Sequence, residues 1–240
     1  MSIRFVRVKA LVISSGSMIL VGLTRGVATG KTTVAGVLKQ CGAVIIDADE
    51  LAREAVKPGK PAWREIIHGF GKGILNRDQT INRQALGAMV FHHRSQLRLL
   101  ERIIHPRVAR EQARLTKQAS KKDPRAVVIY DVPLLFEAGI DKRVDRIIVV
   151  TADRQTQIAR LKTRNGLTRA EALRRIKSQM PLAMKRRLAD YVVDGNLSRK
   201  RLYQRASMIF DHLQSSKILS HERPGRTAGK VAPKTVKRGV

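Results

Sequence analysis

Residues 22–33 read GLTRGVATGKTT, and this stretch is the strongest indication of the fold. The apolar residues at 18–23 predict a short buried strand, and a helix is predicted from Lys31 to about Gln40. A glycine-rich turn between a strand and a helix points backbone N–H groups and the positive end of the helix dipole at an anion. The order of these three elements therefore predicts a loop that binds phosphate groups; an ordinary glycine-containing turn is the alternative.

The loop matches the pattern G-x-x-x-x-G-K-[ST] except at its first position, where Arg25 replaces glycine. In this pattern Lys31 would reach the β- and γ-phosphates of ATP, and the Thr32 hydroxyl would ligate Mg²⁺. If position 25 requires a positive φ, arginine costs about 1–2 kcal/mol there, which leaves the affinity for ATP open. The residues predicted to hold ATP in the loop are Gly26, Val27, Ala28, Thr29, Gly30, Lys31, Thr32 and Thr33.

The composition indicates a folded domain that attracts polyanions. Of 240 residues 43% are hydrophobic, and 48 Lys and Arg against 19 Asp and Glu give a net charge of +29. Without residues 1–17 and 216–240, 38 basic and 18 acidic residues still leave +20. Nucleotide phosphates, RNA and acidic membranes are all candidate partners. Aromatic residues make up only 4%, so we expect no specific nucleic acid and at most weak, nonspecific polyanion binding by the basic tail.

The chain is predicted to be a soluble cytoplasmic protein. Its single cysteine, Cys41, excludes an intramolecular disulfide and suits a reducing compartment. Spanning a bilayer takes about 18 consecutive apolar residues, and no segment of the sequence reaches that length. Residues 1–17 are interpreted as an N-terminal extension and residues 215–240 as a basic disordered tail.

Alternating strands and helices predict an α/β fold with a parallel, doubly wound sheet. Together with the loop at 22–33, this pattern is typical of a phosphate-loop NTPase. Strands are predicted at 18–23, 43–46, 126–130, 146–150 and 191–193. The domain would span residues 18–214, with a helical insertion at about 60–120 and a helical lid at about 152–185. A new helix is predicted to begin at Pro106, and Thr168 with Glu171 predicts a capping box.

Two aspartates are expected beside the loop. Asp47 and Asp49 follow the second strand, at the edge where open α/β sheets bind ligands. Asp49 could act as a general base toward a hydroxyl group, and Asp47 could hold Mg²⁺. The alternative is that Asp49 only caps the next helix. Asp131 follows a third strand and could orient a water of the metal ion.

Several stretches together resemble the dephospho-CoA kinase family, from residue 18 to about 213. These are residues 22–33, 46–49, 52–53, 105–106, 132–137, 189–190 and Gln157, Arg160, Arg164, Gln179 and Asn196. The resemblance implies that ATP, with Mg²⁺, phosphorylates the ribose 3′-hydroxyl of dephospho-CoA to give coenzyme A, the last step of its synthesis. It implies that Asp49, Lys31 and Arg160 are catalytic and that Arg164 and Asn196 bind ATP. The implied contacts to the acceptor are Asp47, Asp49, Arg53, His105, Pro133, Leu134 and Glu137.

Two other functions stay open. A nucleoside monophosphate kinase would place arginines, rather than an aspartate, around a phosphate acceptor, so the pair Asp47 and Asp49 favours a hydroxyl acceptor. The second alternative is an RNA- or ribosome-binding protein in which Arg25 has weakened catalysis. The basic charge favours it, whereas Lys31, Asp49 and the scarcity of aromatic residues do not.

Overall fold

The computed structural model describes residues 18–215 and centres on a five-stranded parallel sheet. The spatial order of the strands is β2-β3-β1-β4-β5, so the first strand lies in the middle. Because every pairing is parallel, all carboxyl ends of the strands meet at one edge of the sheet. The strands are β1 (Ile19–Arg25), β2 (Val44–Asp47), β3 (Val127–Asp131), β4 (Arg146–Thr151) and β5 (Tyr191–Asp194).

Helices cover both faces of the sheet, which confirms the predicted doubly wound α/β class. One core lies between the sheet and α1 with α9, and the other lies between the sheet and a layer that includes α5. The helices are α1 (Lys31–Gln40), α2 (Ala48–Ala55), α3 (Pro61–Phe70), α4 (Arg83–His92), α5 (Arg94–Lys122), α6 (Arg154–Asn165), α7 (Arg169–Lys177), α8 (Leu182–Arg187) and α9 (Arg199–Ser215).

The strands are apolar along their length because both of their faces are buried. In β4, Ile148 and Val150 pack toward α1 and α9, whereas Ile147 and Val149 pack toward the opposite layer. All four side chains are fully inaccessible to solvent. Alternate residues of a strand face opposite sides, so a strand between two helical layers requires a continuous apolar run.

The region predicted as a helical insertion has its own small core. Side chains from α3, α4 and the first part of α5 pack together there. The Trp63 indole donates its N–H to the Gln79 carbonyl at 2.8 Å. The fully or nearly buried members are Ala62, Ile66, Phe70, Ile74, Leu86, Val90 and Ile103.

The prediction of a helix start at Pro106 was wrong, since this proline lies inside the 29-residue helix α5. Proline has no N–H for the helical ladder and disturbs the preceding turn. Arg107, the next residue, adds contacts at this turn: Nη1 donates to the Ile103 carbonyl and Nη2 to Glu65 Oε1 on α3, each at 2.5 Å. The helix continues because side-chain and tertiary contacts stabilise the turn that the proline weakens.

The predictions for the two termini lie outside the described residues, apart from Ser215, which closes α9 instead of opening a tail. The capping box of Thr168 and Glu171 is present at the start of α7. In residues 18–215, we find no helix whose length and apolar character would let it cross a bilayer.

Candidate active site

The loop between β1 and α1 comprises residues 26–30. Arg25 belongs to β1, where it pairs with Val150, and its φ is not positive. The positive φ angles fall instead at Ala28, with 57°, and at Gly30, with 90°. The condition for backbone strain at Arg25, a positive φ, is therefore not met. The strained position is Ala28, where an L-residue in the left-handed region costs about 1–2 kcal/mol.

The first turn of α1 is open to an anion. Gly30 precedes the helix without a side-chain hydrogen bond to the turn, and the first turn contains no acidic residue. Thr32 and Thr33 are exposed. The backbone is described at Lys31, but its side chain lies outside the described part of the structure. Uncapped N–H groups at a helix N-terminus are the donors that a phosphate group needs, so the geometry fits the predicted loop.

Two side chains of helix α6 donate hydrogen bonds to backbone carbonyl groups of the phosphate loop. The buried side chain of Gln157 donates to the Val27 carbonyl at 2.6 Å. Arg160 donates from Nη1 to the Ala28 carbonyl at 3.1 Å and from Nη2 to the Gly195 carbonyl at 2.8 Å. A guanidinium has five N–H groups, so these bonds leave others that could meet a phosphate. Sequence reasoning predicted only the phosphate contact, which stays a prediction.

The backbone of Gly195 lies so close to the phosphate loop that a residue with a side chain would collide with it. A Cβ atom at this position would lie 1.8 Å from the Thr29 carbonyl oxygen and 3.0 Å from that of Thr151. Both neighbours are backbone atoms, so a side chain at 195 would displace the loop itself. Sequence reasoning missed this residue, although a glycine directly after the last strand was a usable signal.

A pocket of about 420 Å³ is lined by residues on both sides of Gly195, Asp194 and Asn196 among them. Its position at the carboxyl ends of β4 and β5 suits the base and ribose of a nucleotide. The predicted ATP residue Asn196 lines it, and its Nδ2 donates to Asp153 Oδ2 at 2.8 Å. The lining residues are Thr151, Ala152, Asp153, Leu182, Ala183, Arg186, Val192, Asp194 and Asn196.

The two aspartates after β2 have different positions. Asp47 caps α2, because its Oδ1 accepts the N–H groups of Asp49 at 2.8 Å and Glu50 at 3.2 Å. Asp49 is the second residue of the helix, and its side chain is exposed. The alternative that Asp49 is the cap was therefore wrong. The cap engages Asp47 Oδ1, whereas the Asp49 carboxylate faces solvent at the edge where the strands end.

Arg25 connects the loop with the aspartates. Burial lowers the pKa of Arg25 from its ordinary value, and the charges of Asp49 and Asp47 oppose this change, whereas Arg164 adds to it. The Arg25 guanidinium therefore lies within electrostatic reach of both carboxylates and of the predicted lid arginine. Asp131 is buried beside Asp47 in the register of β2 and β3. Three acids and two cations thus lie at the carboxyl ends of the central strands.

Replacing Arg25 with glycine or with methionine is expected to weaken ATP binding about fivefold, because either change removes a charge worth about 1 kcal/mol beside the triphosphate. Titration of each variant with ATP measures the dissociation constant. The methionine variant keeps the volume of the side chain and separates charge from backbone freedom. Tighter binding by the glycine variant alone would show that the volume of the side chain at position 25 obstructs ATP binding.

The segment 133–137 follows β3 and contains three predicted acceptor contacts. Leu134 is 46% exposed, in keeping with a surface that meets a ligand. Glu137 is also exposed but makes contacts within the protein: its Oε1 lies 2.9 Å from Lys185 Nζ and accepts the Met180 N–H at 2.9 Å. Binding of the acceptor by Glu137, as predicted, would therefore compete with its contacts to Lys185 and Met180. Acceptor contacts by Pro133, Arg53 and His105 stay predictions, with Arg53 and His105 exposed on α2 and α5.

The arrangement defines a class of protein. A parallel sheet with a phosphate loop after its central first strand, and helices α6–α8 beside that loop, is the fold of phosphate-loop kinases. The family model described as "Dephospho-CoA kinase" matches residues 19–201. The chain belongs to the dephospho-CoA kinase family, and it is an ATP-dependent kinase.

Curated relatives agree with the family model. The chain is 52% identical to "Dephospho-CoA kinase" of Geobacter metallireducens, over 74% of this chain and 88% of the relative. It is 44% identical to the protein of the same name from Geobacter sulfurreducens, over 80% of this chain and 98% of the relative. These alignments span nearly the whole length of both relatives.

Solved structures share the fold. The crystal structure of TT1252 from Thermus thermophilus superposes with a TM-score of 0.70 at 30% identity, covering 80% of this chain and 96% of that one. The structure "Dephospho-CoA kinase from Campylobacter jejuni" gives a TM-score of 0.56 at 21% identity, covering 82% and 97%. The second likeness supports the fold alone.

Proposed function

We propose that this protein transfers the γ-phosphoryl group of ATP to the ribose 3′-hydroxyl of dephospho-CoA, which gives coenzyme A, the last step of its synthesis. The names of the relatives supply the acceptor. The observation that carries the proposal within this chain is the division of roles between Asp47 and Asp49. Because Asp47 caps α2, the Asp49 carboxylate is exposed at the ligand-binding edge of the sheet.

The donor side holds ATP through the loop and the pocket. Backbone N–H groups of residues 26–33 bind the β- and γ-phosphates, and Lys31 adds a positive charge between them. The base and ribose occupy the pocket that Asn196 lines. Arg160 keeps the loop in shape through the Ala28 carbonyl, and Arg164 approaches the phosphates from α6. Positive charge therefore collects where negative charge increases during transfer.

The residues present fit a magnesium ion. Thr32 is exposed at the start of α1, and the capping bonds of Asp47 involve only Oδ1. Among residues 18–215, no group of three or more His, Cys, Asp or Glu side chains could hold a metal ion without other ligands. Magnesium sites in kinases take one or two protein oxygens together with phosphate oxygens, so Thr32 and Asp47 would suffice. The ion would neutralise charge on the phosphates.

Asp49 performs the proton transfer on the acceptor side. Its carboxylate accepts the proton of the 3′-hydroxyl, and the hydroxyl oxygen forms a bond to the γ-phosphorus. The bond between the γ-phosphorus and the oxygen that bridges the β- and γ-phosphates breaks. ADP leaves with the electron pair of that bond. A positioned general base contributes typically about 10²- to 10⁴-fold to the rate. Residues 133–134, with Arg53 and His105, are the proposed contacts to the rest of the acceptor.

A panel of acceptors tests the substrate. Formation of ADP is measured with ATP and Mg²⁺ in the presence of dephospho-CoA, nucleoside monophosphates or no acceptor. We expect dephospho-CoA to raise the rate at least about 100-fold above the rate without acceptor. Faster reaction with a nucleoside monophosphate would favour the first alternative class instead.

The same preparation tests the RNA-binding alternative. Contacts made only to phosphates weaken steeply as salt rises, so we expect RNA binding to be lost at physiological ionic strength. RNA binding that persists there, together with no phosphorylated acceptor, would overturn the proposed activity. The cytoplasmic location also stays a prediction from the cysteine content of the chain.

A further inference from the structure

A fully buried lysine lies where the donor and acceptor sides of the site meet. Lys185 belongs to the short helix α8, and its side chain is completely inaccessible to solvent. Its Nζ lies 2.9 Å from Glu137 Oε1, 3.2 Å from the Arg25 carbonyl oxygen and 3.4 Å from the Pro133 carbonyl oxygen. An ammonium group has three N–H donors, so these three acceptors match its full capacity.

The three acceptors belong to two segments with different tasks. Arg25 ends β1 and leads into the phosphate loop. Pro133 lies in the segment proposed to meet the acceptor, and its carbonyl also accepts the Thr24 hydroxyl at 2.9 Å. Glu137 ends that segment and binds the Met180 N–H ahead of α8. One ammonium group therefore joins the lid, the phosphate loop and the acceptor segment.

Helix α8 also faces the nucleotide. Leu182, Ala183 and Arg186 line the pocket beside Asn196, whereas Lys185 points the other way, into the junction. The position of α8 is thus tied at the same time to the pocket and to the segments on either side of the transfer path. A shift of α8 would be transmitted to both segments.

Glu137 carries a negative charge at neutral pH. Burial acts to raise the pKa of Glu137, but the hydrogen bond from Lys185 and those from the backbone N–H groups of Glu137 and Met180 bring it below its ordinary value of 4.5. Glu137 is therefore ionised at neutral pH and neutralises the buried ammonium. Moving an ammonium group out of water costs free energy. The burial of Lys185 therefore indicates that its position is important for the site.

We propose that Lys185 is a positioning residue that fixes the start of the phosphate loop relative to the segment 133–137, so that the acceptor hydroxyl and the γ-phosphate are held in line. This inference rests on the proposed function for its kinetic test. It assigns Lys185 no contact with the reacting atoms. Its loss lowers turnover more than it lowers the binding of either substrate, because misplacing reacting groups by about 1 Å costs on the order of 100-fold in rate.

Four variants test the proposal. Lys185→Met removes the positive charge at similar volume, whereas Lys185→Arg keeps a positive charge at this position. The double variant Lys185→Met/Glu137→Gln removes both charges, so that no unpaired buried charge prevents folding. Arg187→Met is the matched control, since it removes a positive charge from an exposed residue of the same helix.

The expected result is a fall in kcat of about 10- to 100-fold in Lys185→Met and in the double variant, with dissociation constants for ATP and dephospho-CoA within about threefold of wild type. Lys185→Arg is expected to recover part of kcat. A kcat within about twofold of wild type in the double variant would overturn the proposal.

Hydrogen exchange gives a second readout that needs no acceptor. Amides of residues 132–139 are expected to exchange about tenfold faster in the double variant, whereas α9 stays protected. Exchange equal to that of Arg187→Met would overturn the proposal, and so would faster exchange throughout the domain, which would indicate a general structural role. A wild-type protein that failed to phosphorylate dephospho-CoA would reject the proposed function, and the exchange result would still decide the role of Lys185.

Discussion

Replacing Gly195 with alanine is expected to reduce kcat/KM for ATP by about 100-fold or more. The added Cβ would lie 1.8 Å from the Thr29 carbonyl oxygen, so either the phosphate loop or the turn after β5 has to move. Arg160 would move with them, because it joins the Ala28 and Gly195 carbonyl groups. Steady-state kinetics with ATP as the varied substrate measures the effect, and circular dichroism confirms that the variant is folded.

Gly36→Ala is the control for this prediction. Gly36 lies in α1, close in sequence to the loop, and a Cβ there meets no atom within 4 Å. Alanine is favoured over glycine in a helix by about 1 kcal/mol, so we expect unchanged kinetics and slightly higher stability. Equal activity of Gly195→Ala and Gly36→Ala would show that the close approach at Thr29 does not shape the site.

Replacing Asp49 with asparagine is expected to lower kcat by about 10²- to 10⁴-fold while the dissociation constant for ATP changes by less than about threefold. The amide cannot accept the proton of the hydroxyl, but the cap of α2 is provided by Asp47 and stays in place. Single-turnover kinetics together with ATP titration separates the two quantities.

Glu50→Gln controls for the loss of one negative charge from the same turn. Glu50 is also exposed in the first turn of α2, next to Asp49. We expect it to keep wild-type turnover. If Asp49→Asn and Glu50→Gln were equally active, Asp49 would be excluded as the general base.

The sequence was sufficient for the strands and for the class of fold. Strands such as β3 and β4 are continuous apolar runs, and the glycine-rich turn before Lys31 marks where the first helix begins. Pro106 was misinterpreted because Arg107 bonds this turn to Glu65 on α3, a contact that comes from tertiary structure. Local propensity carries no information about such contacts.

The candidate site was only partly predictable. Asp47 and Asp49 were placed correctly at the end of β2, but which one caps α2 depends on local hydrogen bonding. Arg25 was assigned to the loop with its φ left open, whereas it belongs to β1 and the positive φ falls at Ala28. Lys185 gave no signal, since a lysine followed by two arginines resembles a solvated surface and its burial depends on contacts more than 50 residues away.

The proposed phosphoryl transfer is tested most directly by locating the new phosphoryl group on the product. The protein is incubated with ATP, Mg²⁺ and dephospho-CoA, and the product is examined by ³¹P NMR and mass spectrometry. We expect one new phosphate on the ribose 3′-oxygen, formed by wild type and nearly absent with Lys31→Ala or Asp49→Asn. No transfer by wild type, or transfer that survives both substitutions, would contradict it.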